Sequence, residues 1–469
     1  LALQPAKVLL LSIVVYLAGT ILIGYWASRK VRTSGDFMLA GRSLPMVLST
    51  SALFATWFGS ETVFGASSEF LKGGLYSVIE DPFGAALCLI LFGLFFARKL
   101  YQMNLVTLGD FFKVRFGQRT ELFASVFIVP SYIGYIAAQL VAMGLILNIV
   151  TGMETWQGVV VSSVIVTFYT CIGGMWAISI TDFIQSIIIV IGLGVLAWVL
   201  ADQAGGVQQV WERMPGESLR FFPSLDSYSI LSWLAAWSVL GLGSIPSQDV
   251  FQRAMSAGSA RIAVHSSLYA AGLYLTIAML PLFISLCTQQ LYPEQLQGDT
   301  QLALPAMVLR HTPLLVQVLF FGSLLSAIMS TTSSAVLAPA AIFSENLVRP
   351  LTKNKLNDQQ LLRLTRISVL VFAAVATAMA CWRSNIYELV GESSVFSLVS
   401  LFMPLTFGLY FNWPNSWGAG LSMAAGLLSW LVLENMETEV PPLLTATAIS
   451  FLGLVIGSLA KRWRDRAPT

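Results

Sequence analysis

Charge is what this chain lacks. Only 11% of its 469 residues are Asp, Glu, Lys or Arg, against 56% apolar ones. With a mean hydropathy of +0.75, that excludes an ordinary soluble domain of this size. Cysteine and histidine are nearly absent too. Cys88, Cys171, Cys287 and Cys381 show no paired spacing, so neither a disulfide framework nor a metal site is expected of them. His265 and His311 stand far apart in no ligand pattern. No nucleophile–base or metal cluster appears, so the chain is not expected to be an enzyme. Nothing in it calls for nucleic acid or an obligate protein partner.

What is present is a succession of apolar stretches of about twenty residues, the length that crosses a bilayer as a helix. They predict an all-α polytopic membrane protein with thirteen spans, near 7–28, 45–71, 79–97, 120–149, 157–172, 176–201, 228–247, 262–289, 313–344, 362–382, 388–410, 416–433 and 441–460. The few charges are sorted by side. Arg29, Lys30, Arg32 and Arg42, then Arg98, Lys99, Lys113, Arg115 and Arg119 fall on one side. So do Arg253 and Arg261, then Arg349, Lys353, Lys355, Arg363 and Arg366, and last Lys461, Arg462, Arg464 and Arg466. That side holds all but six of the 26 Lys and Arg, while Glu80, Asp81, Glu154, Asp202, Glu212, Glu294, Glu434, Glu437 and Glu439 gather opposite. The positive-inside rule then puts the N-terminus outside and the C-terminus in the cytoplasm of a cell that carries the chain in its inner or plasma membrane. The first span is too long for a secretory signal and lacks a basic leader. A chain starting at Leu1 is expected to lack a few leading residues.

Two spans are interrupted. The second holds Gly59 and Gly65 with Ser60, Glu61 and Thr62 between them; the seventh ends in Gly241, Gly243, Ser244 and Pro246. Broken segments five helices apart point to two inverted five-helix repeats, 45–201 and 228–410, with a binding site between them. Residues 1–44 would be an extra helix and basic loop, 202–227 an external loop, and 411–469 two further helices and a basic tail. The plainer reading is that each glycine cluster only lets helices pack closely.

Five hydroxyl residues, Ser330-Thr331-Thr332-Ser333-Ser334, run through a stretch with no charge from Thr312 to Ser344. Hydrocarbon solvates oxygen poorly, so such a run calls for a partner, water or a cation. Sodium, a small hard ion, takes oxygen ligands. Ser and Thr in membrane helices otherwise bond back to their own helix. Asp182, in TDFIQ, reads by itself as a helix-start charge or one facing cytoplasmic water.

Four segments, FMLAGRSLP (37–45), YTCIGGMWAISITDFIQ (169–185), GSIPSQDVFQRAMSA (243–257) and SAIMSTTSSAVLAPA (326–340), resemble in order and spacing the sodium:solute symporter family. That family includes transporters of proline, sugars, sialic acid and choline. The resemblance implies ten core helices in two inverted repeats, the first and sixth broken, after one preceding helix, and sodium-coupled symport by alternating access. Its main sodium site maps onto the carbonyls of Ala55 and Phe58 and onto Ala327, Ser330 and Thr331. Asp182 with Ser333 and Ser334 maps onto a second sodium site found in some members. Cargo contacts would come from Trp57, Glu61, Asp81, Ala85, Tyr135, Gln139, Trp237, Ser244, Ser247 and Gln248. Glu61 and Asp81, taken as two carboxylates at one cavity, suggest a cationic or zwitterionic amine. ATWFGS (55–60), LCLILFGLFFA (87–97) and SIPSQDVFQR are most similar to the choline-transporting branch, where an aromatic wall such as Trp57 faces a quaternary ammonium. Ala85 and Ser247 stand where that branch has aromatics, so an amino acid fits as well. The alternative is a permease-like signalling module whose kinase is missing, since KRWRDRAPT carries no kinase core.

Overall fold

In a lipid environment a backbone must satisfy its own polar groups, and helices do this segment by segment. The computed structural model describes residues 5–29, 31, 33–214, 216–296, 299–352 and 356–466. Lys30, Arg32, Lys353 and Lys355 of the basic clusters lie outside the described residues. Within them the chain is helical, and extended pairing is confined to an isolated bridge between Leu44 and Ala257.

A first helix, α1 (Pro5–Ser28), precedes the core. The first break follows: α2 (Met46–Trp57), a non-helical turn at Phe58, a π-turn at Glu61–Gly65, and α3 (Ala66–Gly73). A short amphipathic helix, α4 (Leu108–Phe116), leads into α5 (Gln118–Thr151), and α6 (Thr155–Gln203) returns. The second break joins α7 (Ser227–Gly243) to α8 (Gln248–Met255), bent by 46°. Then come α9 (Ala260–Leu291), α10 (Leu314–Ile342), α11 (Asp358–Ala380) and α12 (Ile386–Ser397). The closing pair is α13 (Ser416–Leu433) and α14 (Pro442–Arg466). The hydroxyl-rich α10 packs against α5 and α6, α12 lies along α5, and α2 against α9. Residues of both breaks line one cavity beside α5.

Among the described residues nine helices are long and apolar enough to cross a membrane, or ten counting the bent α7–α8 pair as one span. Thirteen were expected. Met46–Trp57, cut off from the rest of its span at the first break, is apolar but too short to cross alone, and 79–97 falls within the single run Glu61–Gln102. Nor are 157–172 and 176–201 separated by a loop. They form one helical run interrupted at Gly174, whose φ of 53° and ψ of −156° are non-helical. A Cβ there would lie 2.5 Å from the Phe37 ring and 2.6 Å from its carbonyl, so the close approach and the dihedral both require glycine.

Candidate functional site

Breaking a helix frees carbonyls that must find new donors. At the first break Gly59 N turns to Trp57 O at 3.1 Å, and Ser60 N to Gln139 Oε1 at 2.9 Å. The freed acceptors are taken up by side chains. Thr331 on α10 donates to Ala55 O at 2.9 Å and lies 3.1 Å from Ala327 O and 3.4 Å from Phe58 O. Tyr135 on α5 donates to Thr56 O at 2.9 Å, and Thr62 to Trp57 O at 3.2 Å. Three carbonyls and a hydroxyl thus converge between α2 and α10, an oxygen-only donor set of the kind a hard monovalent cation takes.

Ser330, the fifth residue expected there, turns the other way: its hydroxyl donates to Asp182 Oδ1. Asp182 is not at a helix start and does not face water. It lies inside α6, fully buried, and Arg253 of α8 reaches its Oδ2 at 3.1 Å. Arg253 is itself fully buried, and its Nε and remaining amino group have no partner among the described residues. Ser333 and Ser334 do not join Asp182. Their hydroxyls return to the carbonyls of Ser330 and Thr331 at 2.9–3.1 Å, and Thr332 likewise bonds Ile328 O at 2.5 Å.

Between the two breaks lies a cavity. Trp57 and Glu61 come from the first break, Ser244, Ser247 and Asp249 from the second, Tyr132 and Tyr135 from α5, and Ser393, Ser394 and Ser397 from α12 and its end. Glu61 accepts from Gln139 Nε2 at 2.7 Å, with Tyr135 at 3.4 Å. Asp249 Oδ1 accepts from Tyr132 at 2.7 Å, and among the described residues no Lys, Arg or His lines the cavity. The cavity and the oxygen cluster adjoin at Gly59. A Cβ there would lie 2.7 Å from Glu61 Oε2, 2.9 Å from Gln139 Oε1 and 3.0 Å from Thr331 Oγ1.

Of the residues expected to line the cavity, Trp57, Glu61, Tyr135, Ser244 and Ser247 do. Gln139 stands one step back and holds Glu61 in place. The others lie elsewhere. Asp81 is buried against Tyr274, which donates to it and also touches Thr62, so it is not the second carboxylate of this cavity. Ala85 is buried at the start of a neighbouring helix, Ala85–Leu91. Trp237 joins an aromatic cluster with Phe83, Phe221 and Trp233. Gln248 Oε1 accepts from Leu108 N at 2.7 Å, an orphan donor of the first turn of α4. Asp249 and Tyr132 were missed. Tyr132, Tyr135 and Gln139 share one face of α5 at spacings of three, four and seven, a signal available in the sequence. For Asp249, one residue beyond the expected Gln248, the register of a bent helix start decides, and the bend is not legible locally.

The sodium:solute symporter family matches residues 37–426. The high affinity choline transporter 1 of Homo sapiens is 27% identical over 439 residues, covering 89% of this chain and 75% of that one. An osmoregulated proline transporter of Bacillus subtilis is 26% identical over 476 residues, covering 97% and 95%. Among solved structures, a Na+-coupled sialic acid symporter in a substrate-bound outward-open state has a TM-score of 0.84 at 20% identity, covering 98% of each chain. A nucleobase-cation symporter in a closed conformation has a TM-score of 0.54 at 15% identity, covering 91% and 94%. The all-helical, inverted-repeat architecture expected above is the fold this chain shares with them.

Proposed function

Since the chain belongs to the sodium:solute symporter family, whose members couple solute uptake to sodium across a membrane, we propose that its cargo is a small cationic amine without a carboxylate. One observation carries this. The cavity between the breaks presents two carboxylates, Glu61 and Asp249, and, among the described residues, no basic side chain. An amino acid's carboxylate would enter it with no counter-charge, and burying an unpaired charge costs several kcal/mol. An ammonium meets Glu61 and the faces of Trp57 and Tyr135, where cation–π attraction adds about 0.5–2 kcal/mol. Choline-like amines are the nearest chemical class.

The sodium site takes the carbonyls of Ala55, Phe58 and Ala327 with the Thr331 hydroxyl, and Ser330 joins when it leaves Asp182. An ion there draws the carbonyls at the end of α2 toward α10. Glu61 lies across Gly59 from the same Thr331, so the ion sets the position of the cargo's counter-charge. Coupling of this kind is reciprocal: cargo tightens sodium by the factor by which sodium tightens cargo, typically 1–3 kcal/mol. Asp182 already has Arg253 as its counter-charge, so the cycle needs one sodium; a second ion with Ser333 and Ser334 would have to displace that guanidinium. The repeats 45–201 and 228–410 would rock about the two breaks, with the N-terminus outside and the C-terminus in the cytoplasm.

Thermal unfolding of the purified protein, with and without sodium, tests the cargo class. A monoamine such as choline should raise the melting temperature in sodium and not in potassium, since ligand binding stabilises by mass action. Stabilisation by proline or glycine instead, or by amines equally in both salts, would overturn the reading.

A further inference from the structure

Glu61 and Asp249 are held alike. Both are almost completely buried, with 3% and 5% of their surface exposed. Each meets a tyrosine of α5, Glu61 near Tyr135 and Asp249 at Tyr132. Each keeps an oxygen for the cavity. Tyr135 gives its proton to Thr56 O at 2.9 Å, leaving Glu61 Oε1 only a distant neighbour at 3.4 Å. Asp249 Oδ2 has no hydrogen-bond partner among the described residues. The guanidinium nearest in sequence, Arg253, is committed to Asp182.

A monocation meets one of these carboxylates and leaves the other with neutral partners only, without a counter-charge in the cavity. A hydroxyl at the far end of the cargo would not need a carboxylate, because Ser244, Ser247 and Ser394 already place neutral acceptors there. Resting on the amine reading above, we propose that the cargo carries two cationic groups, one ammonium on Glu61 and the other on Asp249. Such a molecule ties the first break to the second and so favours closure of the two halves around it. Tyr132 and Tyr135 share one helix face, so the two carboxylates they meet lie along the same wall of the cavity, and a linear α,ω-diamine is the simplest cargo with two such groups.

The test compares sodium-dependent stabilisation of the full chain by a butane-length α,ω-diamine, by butylamine and by ethanolamine. The diamine should bind at least about tenfold more tightly than either, the size of one charge-assisted hydrogen bond. Asp249→Asn should bring the diamine down to the level of butylamine, so that the ratio of the two affinities falls from at least about tenfold to about one. If that variant does not fold, Tyr132→Phe should weaken the diamine selectively by removing the group that aims Asp249. Equal binding of diamine and butylamine overturns this proposal and spares the amine reading. Ethanolamine as tight as the diamine assigns Asp249 to a hydroxyl and overturns it too. If none of the three binds in sodium, the amine reading itself fails.

Discussion

The two helix breaks occupy matching places, yet they dispose of their backbone differently. At the second, Ser247 N donates to Ser244 O at 3.2 Å, the Ser247 hydroxyl donates to the same carbonyl at 2.5 Å, and Ile245 N reaches Leu242 O at 3.1 Å. The Leu242 and Ser244 carbonyls are consumed at home. The first break sends its carbonyls out to α10 and α5, with Thr331 and Tyr135 as donors. Only a break with exported carbonyls can be reorganised by an ion, so sodium should act through the first and leave the second to the cargo. Both present a carboxylate to the cavity, but only Glu61 stands one glycine away from the oxygen cluster.

The same substitution at each break should therefore have opposite weight. Gly59→Ala puts a methyl within 3.0 Å of Glu61, Gln139 and Thr331 oxygens at once. Sodium-driven uptake into proteoliposomes should fall by about a hundredfold or more, since a small misplacement at a positioned site is worth that much. Gly241→Ala, beside the second break, meets first the Leu87 methyl at 3.2 Å, a side chain that can move. Uptake should stay within about threefold of the parent, in line with a cost near 1 kcal/mol or less. Comparable losses in both would remove the distinction between the breaks.

Hydroxyl pairs sharpen it. Ser330→Ala with Thr331→Ala should raise the sodium concentration for half-maximal uptake by about tenfold, two oxygens at roughly 0.5–1.5 kcal/mol each. Ser244→Ala with Ser247→Ala should shift the cargo concentration by about threefold and leave the sodium dependence in place. The readout is a pair of titrations in proteoliposomes, sodium at fixed cargo and cargo at fixed sodium. A sodium shift from the second pair as large as from the first would place the ion at both breaks.

Much of this is legible in the sequence. Apolar length and the scarcity of charge announce membrane helices, because lipid leaves no other arrangement of the backbone open. Gly59 and the Gly241–Pro246 cluster mark the breaks, since these residue types interrupt a helix wherever they stand. The hydroxyl run marks α10 because so many oxygens in one apolar segment need acceptors. Side-chain direction was less legible. Asp81 and Asp249 both lie in polar patches at apolar-segment ends, and nothing local says that Tyr274 claims one while the cavity keeps the other. Gln248 and Asp249 are neighbours, and one residue of register in a bent helix sends the first to cap α4 and the second to the cavity. Arg253 reads as one more cytoplasmic cation; its burial against Asp182 depends on α6 and α8 meeting, a contact between residues 71 apart in the sequence.

The smallest effect is the most discriminating for the hydroxyl run itself. Ser333 donates to Ser330 O at 2.9 Å, a carbonyl that Ser334 also approaches at 3.1 Å. Hydroxyls returning to their own helix add little to stability, so Ser333→Ala should change the melting temperature by about a degree or two and sodium dependence by less than about twofold. That near-silence is the expectation for a cycle with one ion, in which Asp182 answers to Arg253 and Ser330 alone. A steep loss of sodium cooperativity in Ser333→Ala uptake curves, with stability unchanged, would mean that the hydroxyl leaves its helix during the cycle and ligates a second sodium. The first break would then share its ion-binding role with α6, and the contrast with the second break would widen from one ion to two.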